Sequence, residues 1–149
     1  MKGLRSKLLL LVVPFTCCLY AYSQPGCSND LLEGAYGFAV SGINVTASGI
    51  NVTSKALFAL TGRFAADGKG HFSGEGTEAA GPKTGRITFK GQYNVQSDCT
   101  GSATFTFPDG TAAILSFVLV NDGNEVFIID ADSGAVETGA AKRQFFRHR

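Results

Sequence analysis

Two histidines, His71 and His148, are the only imidazoles in 149 residues, and that scarcity bounds the chemistry open to this chain. His71 lies four residues before Glu75, with Glu78 beyond. A histidine beside a carboxylate could move a proton or supply two arms of a metal site. On a strand, however, residues at that spacing stand more than ~10 Å apart by strand rise, so the pair reads as exposed side chains. Asp122, Glu125, Asp130 and Asp132 offer oxygens suited to calcium, but they lack the Asp-x-Asp-x-Asp-Gly loop that would wrap the ion. Gly68-Lys69-Gly70 is a fragment of a phosphate loop without the rest of the motif. Neither Gly-x-Ser-x-Gly nor His-Glu-x-x-His occurs. No residue is assigned a catalytic or metal role, no cofactor is expected, and the chain reads as non-enzymatic. Were a cyclase- or isomerase-like reaction to run here, Tyr93 or Glu75 would have to supply the polar group deep in the pocket.

The N-terminus sets the compartment. Lys2, Arg5 and Lys7 form a positive segment, and Leu8 to Val13 opens an apolar run that continues past Pro14 to about Ala21. Ala21-Tyr22-Ser23 then places small residues at −3 and −1 of a cleavage after Ser23. Residues 1–23 read as a signal peptide and 24–149 as a single domain. The apolar run falls short of the ~20 residues that cross a bilayer, so no stable membrane span is expected after cleavage. Cys17 and Cys27 both lack the context for lipid attachment. Removal of Lys2, Arg5 and Lys7 leaves ten basic against twelve acidic residues, a net charge of −2. That balance argues against nucleic acid as a partner, because phosphate recognition needs a clustered positive surface. The basic tail (Lys142, Arg143, Arg147, His148 and Arg149) reads as a solvated, frayed end. A secreted or periplasmic location follows.

Cys17 and Cys18 leave with the signal, so Cys27 and Cys99 are the mature thiols. In an oxidising compartment such a pair closes. No Cys-x-x-Cys spacing supports a redox or metal alternative, and a structural disulfide is expected. It would tie the start of the domain to its middle.

Helical periodicity is absent from the mature region. Gly-, Asp- and Asn-rich turns separate segments of Val, Ile, Thr and Phe, which predicts eight strands at 35–42, 55–66, 71–79, 84–95, 100–107, 111–120, 125–131 and 135–145. Period two is clearest between Thr84 and Val95: Ile87, Phe89, Tyr93 and Val95 share one face, Arg86, Thr88, Lys90, Gln92 and Asn94 the other. Short turns make neighbours in sequence antiparallel neighbours in space. The fold class is therefore all-β, an eight-stranded antiparallel meander closed into a small barrel, with a β-sandwich as the alternative. Gly62, Gly74, Gly76, Gly85, Gly91, Gly101 and Gly139 fall within strands, where closure needs bends. The duplicated Gly-Ile-Asn-Val-Thr at 42–46 and 49–53 fills the connection between the first two strands. Each copy holds a glycosylation sequon, at Asn44 and Asn51, and the segment reads as loop or extra strand.

The aromatic face is the better functional lead. Tyr36, Phe38, Ile87, Phe89, Tyr93, Phe105 and Phe107 are expected to face the lumen, and Phe58, Phe64 and Phe72 belong to the same set. In an eight-stranded barrel such residues either fill the interior or line a cavity for one small apolar ligand. The opposite orientation, with rings toward lipid and Arg86, Lys90 and Gln92 inside, is that of an outer-membrane barrel. Charges on both faces and the lack of long loops at one end argue against it. Segments 112–120 and 126–129 are apolar on both faces, so something is expected to cover their outer side. Leu31 and Leu32, Phe145 and Phe146, or a second subunit would serve, leaving monomer and homodimer both open.

Leu32-Glu33-Gly34-Ala35-Tyr36-Gly37-Phe38, the turn Asp67-Gly68-Lys69-Gly70, and Gly91-Gln92-Tyr93-Asn94-Val95-Gln96-Ser97-Asp98-Cys99-Thr100-Gly101 together resemble a family of small secreted bacterial proteins of unknown function, frequent in soil bacteria. The likeness runs over most of the mature chain and implies export and a β-rich fold, without an activity. In layout alone the chain also resembles barrels of the lipocalin or allene oxide cyclase type, from which no catalytic residue carries over.

Three readings follow. The leading one is a non-enzymatic binding module holding a small apolar ligand in an aromatic lumen. The second is an interaction protein that dimerises through strands six and seven. The third is a cyclase- or isomerase-like barrel.

Overall fold

Side chains on a strand alternate between faces, and in this chain the alternation decides the architecture. The computed structural model describes residues 26–48, 51–130 and 135–145. The signal segment with its cleavage after Ser23, Asp132, the Ser133-Gly134 turn, Phe146 and the last three residues lie outside them. The strands are β1 (Glu33–Ser48), β2 (Asn51–Asp67), β3 (His71–Ala80), β4 (Lys83–Val95), β5 (Thr100–Thr106), β6 (Ala112–Val120), β7 (Glu125–Asp130) and β8 (Ala135–Arg143). Each pairs antiparallel with its neighbours in sequence, and β8 returns to β1 from Tyr36↔Arg143 to Asn44↔Ala135. The sheet is a closed barrel, not a sandwich, and closure leaves the wall itself without a free edge.

The turns follow from local chemistry. Asp67, Asp98 and Asp109 each accept the backbone N–H two residues on, from Lys69 at 2.7 Å, Thr100 at 3.0 Å and Thr111 at 2.9 Å. Such caps let a short side chain replace a strand partner while the chain reverses. The His71 backbone N–H on Asp67 and the hydroxyls of Thr100 on Asp98 and Thr111 on Asp109, together with these bonds, favour the charged form and hold all three carboxyls below their ordinary range.

The connection expected as loop or extra strand is strand over its described residues. β1 runs to Ser48 and β2 begins at Asn51, pairing continuously from Glu33↔Asp67 to Ser48↔Asn51 with a shift after Thr46. The first Gly-Ile-Asn-Val-Thr copy therefore lies in β1, facing residues 54–58, and Asn51-Val52-Thr53 of the second opens β2. Their alternating β-branched residues support extended backbone as well as any wall strand does. The pairing of β8 with β1 ends at Asn44, and that of β3 with β2 begins at Phe58. Residues 45–48 and 51–56 thus form a two-stranded arm beyond the barrel wall. Asn44 and Asn51 lie in these strands, and their side chains are outside the description.

Rings fill the interior, and the strand glycines make room for them. A Cβ on Gly74 would stand 2.5 Å from Phe89 Cζ, one on Gly91 2.5 Å from Phe72 Cζ, and one on Gly101 2.3 Å from Phe117 Cζ. Each ring comes from the residue directly opposite on the next strand. The same Cβ positions lie 2.0–2.5 Å from a neighbouring strand's carbonyl oxygen, the mark of a tightly curled sheet. Glycine is needed here for space, both for the ring and for the curl.

The N-terminal segment stoppers one end. Asn29–Leu32 forms a single 3-10 turn, and Leu32 is buried among the core residues. Cys27 is disulfide-bonded to Cys99, and its N–H donates to Ser97 O at 3.1 Å. Asn29 Oδ1 accepts the Val95 N–H at 2.7 Å, and the Arg143 guanidinium donates to Leu31 O at 2.6 Å. Gly123 lies against this plug at φ +73°, where a Cβ would meet Leu31 O at 2.3 Å.

Two outcomes test this account. Gly91→Ala should lower the unfolding free energy by about 2 kcal/mol or more, the usual cost of overpacking. Gly85→Ala, whose Cβ would meet nothing within 4 Å, should change it by less than about 1 kcal/mol. Urea denaturation of both variants checks this; equal effects would refute the ring–glycine argument. The double variant Cys27→Ser/Cys99→Ser should retain the barrel's far-ultraviolet spectrum and lose about 4 kcal/mol, the chain-entropy value for a loop of this length.

Candidate functional site

The seven residues expected in the lumen all lie on the inner face. Tyr36, Phe38, Phe89 and Tyr93 are buried, and Ile87, Phe105 and Phe107 are partly buried and packed against them. Phe64 and Phe72 join them in one network of rings. Phe72 is its hub, with Phe105 edge-on at 4.6 Å, Phe64 at 6.1 Å, Phe89 at 6.3 Å and Tyr93 at 6.4 Å. Tyr36 stacks on Phe64 at 5.0 Å, and Phe38 stands edge-on to Phe89 at 5.8 Å. Such contacts add about 0.5–1.5 kcal/mol per pair to simple burial.

The two tyrosines hold the plug. Tyr36 is fully buried, and its hydroxyl donates to Gly123 O at 2.7 Å, with Leu31 O at 3.3 Å. The Arg143 guanidinium sits 5.3 Å above its ring. Burial pushes the Tyr36 hydroxyl up from its ordinary pKa, and the Arg143 charge only partly offsets this. Tyr93 donates to Asn29 O at 3.1 Å, and burial raises its pKa as well. Both phenols stay protonated near neutral pH as hydrogen-bond donors to the backbone.

Glu75 is not the deep polar group that a reaction would require. It faces outward on β3, 2.8 Å from Arg63 on β2. His71 is also outward, its Nδ1 3.2 Å from Asp67, so His71 and Glu75 have separate partners. Strand parity allowed this placement; the identity of the partners depended on register. Among the described residues, no group of three His, Cys, Asp or Glu could hold a metal ion.

What space remains in the lumen is small. Beneath the plug lies a cavity of about 50 Å³ bounded by Leu32, Phe72, Tyr93, Phe117 and Val126. Toward the other end lies one of about 80 Å³ bounded by Phe38, Val40, Phe58, Leu60, Phe107 and Glu137. Phe64, Phe105, Leu115 and Ile128 border both. Pockets for drug-sized ligands typically span about 300–1,000 Å³. Leu115, Phe117 and Val126 were missed as lining residues because their segments are apolar on both faces, so alternation could not orient them; Leu32 was expected as an outer cover instead.

The outer wall divides into two unlike halves. On β3 to β5 it carries His71, Glu75, Arg86, Lys90, Gln92 and Asn94, all exposed. The rings therefore point in and these charges out, the reverse of a lipid-facing barrel. On β6, β7, β8 and the start of the arm, large apolar side chains face outward: Ile114, Phe127 at 49%, Ile129 at 55%, Val136 at 68% and Leu57 at 74% exposure. Val136 pairs with Ile43, and Ile43 with Leu57, while Ile129 pairs with the exposed Thr138. A shallow groove of about 580 Å³ crosses this half, bordered by Ser102, Ser116, Val118, Phe127 and Ile129. Among the described residues the expected covers do not lie on it: Leu32 plugs the barrel end, and Phe145 is itself 76% exposed; Phe146 lies outside them.

No protein-family model matches this sequence, and no curated protein matches it. Among solved structures, the chain is similar to one described as a redesigned β-barrel, with a TM-score of 0.54 at 13% identity, over 82% of this chain and 100% of the other. At that identity the likeness concerns the fold alone.

Proposed function

We propose that this protein is an exported, non-enzymatic binding module that engages a macromolecular partner through the apolar outer wall of β6, β7, β8 and β1. The uncovered row Phe127, Ile129, Val136, Ile43 and Leu57 carries the reading. Soluble monomers rarely leave an apolar patch larger than about a few hundred Å² exposed, and larger ones mark contact surfaces. His71, Glu75, Arg86 and Lys90 lie on the opposite half, while on the apolar side the Lys142–Glu125 ion pair marks the far ends of β8 and β7. The Cys27–Cys99 bond supports an oxidising compartment, as does the resemblance of the segments around Tyr36 and Cys99 to secreted bacterial proteins.

A photo-crosslinking residue at position 127, compared with one at position 92 on the polar half, tests the reading in protein exported by its own host. Adducts should form from 127 and not from 92. Equal labelling, or none from 127, would refute it.

A second reading, a small apolar ligand in the lumen, rests on the cavity of about 80 Å³ at the end away from the plug, where Glu137 is the one polar lining residue. It is smaller than the roughly 150 Å³ apolar cavity that admits benzene. It would suit a molecule of a few carbons. Titration with short alkanols, followed by side-chain NMR, should shift Leu60, Phe105 and Ile128 while leaving Leu32 unmoved. Unchanged spectra at saturation would remove this reading.

A further inference from the structure

The disulfide joins the plug to the barrel wall, and its two ends differ in what else holds them. On the wall side, Cys99 stands at φ +69°, in the left-handed region that favours glycine. The turn it belongs to requires this. Gln96 N–H donates to Thr100 O at 2.8 Å, Cys99 N–H donates to Gln96 O at 3.0 Å, and Asp98 accepts from Thr100. The turn from β5 to β6 repeats the set bond for bond. Phe107 N–H donates to Thr111 O at 2.9 Å, Gly110 N–H donates to Phe107 O at 3.0 Å, and Asp109 accepts from Thr111. Gly110, at φ +87°, holds the place of Cys99. That second turn closes without a disulfide, so the first does not need one. A cysteine in glycine's place therefore serves its partner Cys27, and through it the plug.

On the plug side, Leu32 is buried over the cavity of about 50 Å³ that Phe72, Tyr93 and Phe117 border. The strand pairings that close the barrel do not run through residues 26–32. We infer that Leu32 occupies, in cis, a binding site for a small uncharged apolar molecule, and that the Cys27–Cys99 bond is the latch that keeps it there. Withdrawing Leu32 enlarges the cavity by a leucine side chain, toward the roughly 150 Å³ apolar cavity that admits benzene. Every residue bordering it is aliphatic or aromatic, which sets the class of ligand. Tyr36 keeps Gly123 O as its acceptor when the plug leaves. Tyr93, the Val95 N–H and Arg143 lose their plug partners, and water takes over at the opened mouth. This site lies at the plugged end and rests neither on the outer wall nor on the cavity at the other end.

Cys27 and Cys99 are half-buried beside exposed Gly26, Ser28 and Asp98, so a thiol reaches the bond from solvent. Unlatching is thiol–disulfide exchange with a dithiol reductant. Its thiolate attacks one sulfur, the other sulfur leaves and takes up a proton, and the second thiol of the reductant resolves the mixed disulfide. The chain gains two electrons and two protons as two cysteine thiols, and the reductant becomes a disulfide.

The mature chain is titrated with benzene, oxidised and after reduction with dithiothreitol, and followed by side-chain NMR. Reduction should tighten benzene binding about tenfold or more, since the latch no longer restrains the plug. Without benzene, reduction should speed hydrogen exchange of the Val95 amide, which donates to the plug residue Asn29. The Leu119 amide, which donates to Cys99 O at 2.8 Å, should stay protected. Cys27→Ser/Cys99→Gly, whose wall turn matches the one at Gly110, should bind benzene as the reduced chain does, with no reductant. Leu32→Ala, its disulfide intact, should bind benzene in both redox states. Equal binding by the oxidised and reduced parent chains overturns the inference, as does a Leu32→Ala variant that binds none. Benzene that shifts Leu60 and leaves Val126 unmoved sits in the other cavity, and the inference falls. It falls too if reduction abolishes the barrel's circular dichroism spectrum, because the bond then holds the wall and not the plug.

Discussion

Everything in this barrel is arranged around the fit of aromatic rings over the glycines of neighbouring strands. A sheet of eight strands can curl tightly enough to close only if some inward positions give up their side chains. The space those positions vacate must then be filled, or it becomes a void. Gly74, Gly91 and Gly101 give up the space, and Phe89, Phe72 and Phe117 occupy it from the strand alongside. Curl and filling are thereby one event. The ring network with Phe72 at its centre is the core of the protein, and it leaves only small cavities on either side of Phe64 and Phe105.

The plug completes what the rings begin. A short barrel exposes its core at both ends, and the 3-10 turn at Asn29–Leu32 covers one of them with Leu32. Four residues cannot hold such a position by packing alone. The disulfide at Cys27, the carbonyl bonds from Tyr36, Tyr93 and Arg143, and the Asn29–Val95 contact anchor the turn from several strands. This explains why both buried tyrosines keep their hydroxyls: each is apolar along its ring and needed as a donor at its tip. Burial raises the pKa of both hydroxyls, which keeps them protonated as donors to the backbone.

With the interior largely filled by rings, the two halves of the outer wall differ. The polar half of the wall behaves as an ordinary solvated sheet, illustrated by the Arg63–Glu75 ion pair, which is exposed enough to contribute little. The other half, with Phe127, Ile129, Val136 and Leu57 turned outward, resembles the inner face of a sandwich missing its second sheet. The arm beyond it leaves backbone groups free in the same region.

Alternation in the sequence was enough to predict eight strands, their order and the inward turn of Tyr36, Phe38, Phe89 and Tyr93, because a period of two shows in any stretch whose faces differ in polarity. The pairing of Cys27 with Cys99 was expected on another ground, that Cys17 and Cys18 fall in the segment read as a signal. Tertiary structure alone decided the rest. Register between strands determined that each ring lies over a glycine and that Glu75 meets Arg63, not His71. Closure left Leu31 and Leu32 as an end plug, when their composition suited a cover for β6 and β7 equally well. The apolar outer wall was visible as a lack of alternation, but only the folded chain showed that the described residues leave it bare. A sequence records which way a side chain points; what stands opposite depends on how strands far apart in the chain are staggered, and that is settled by the packing of the whole barrel.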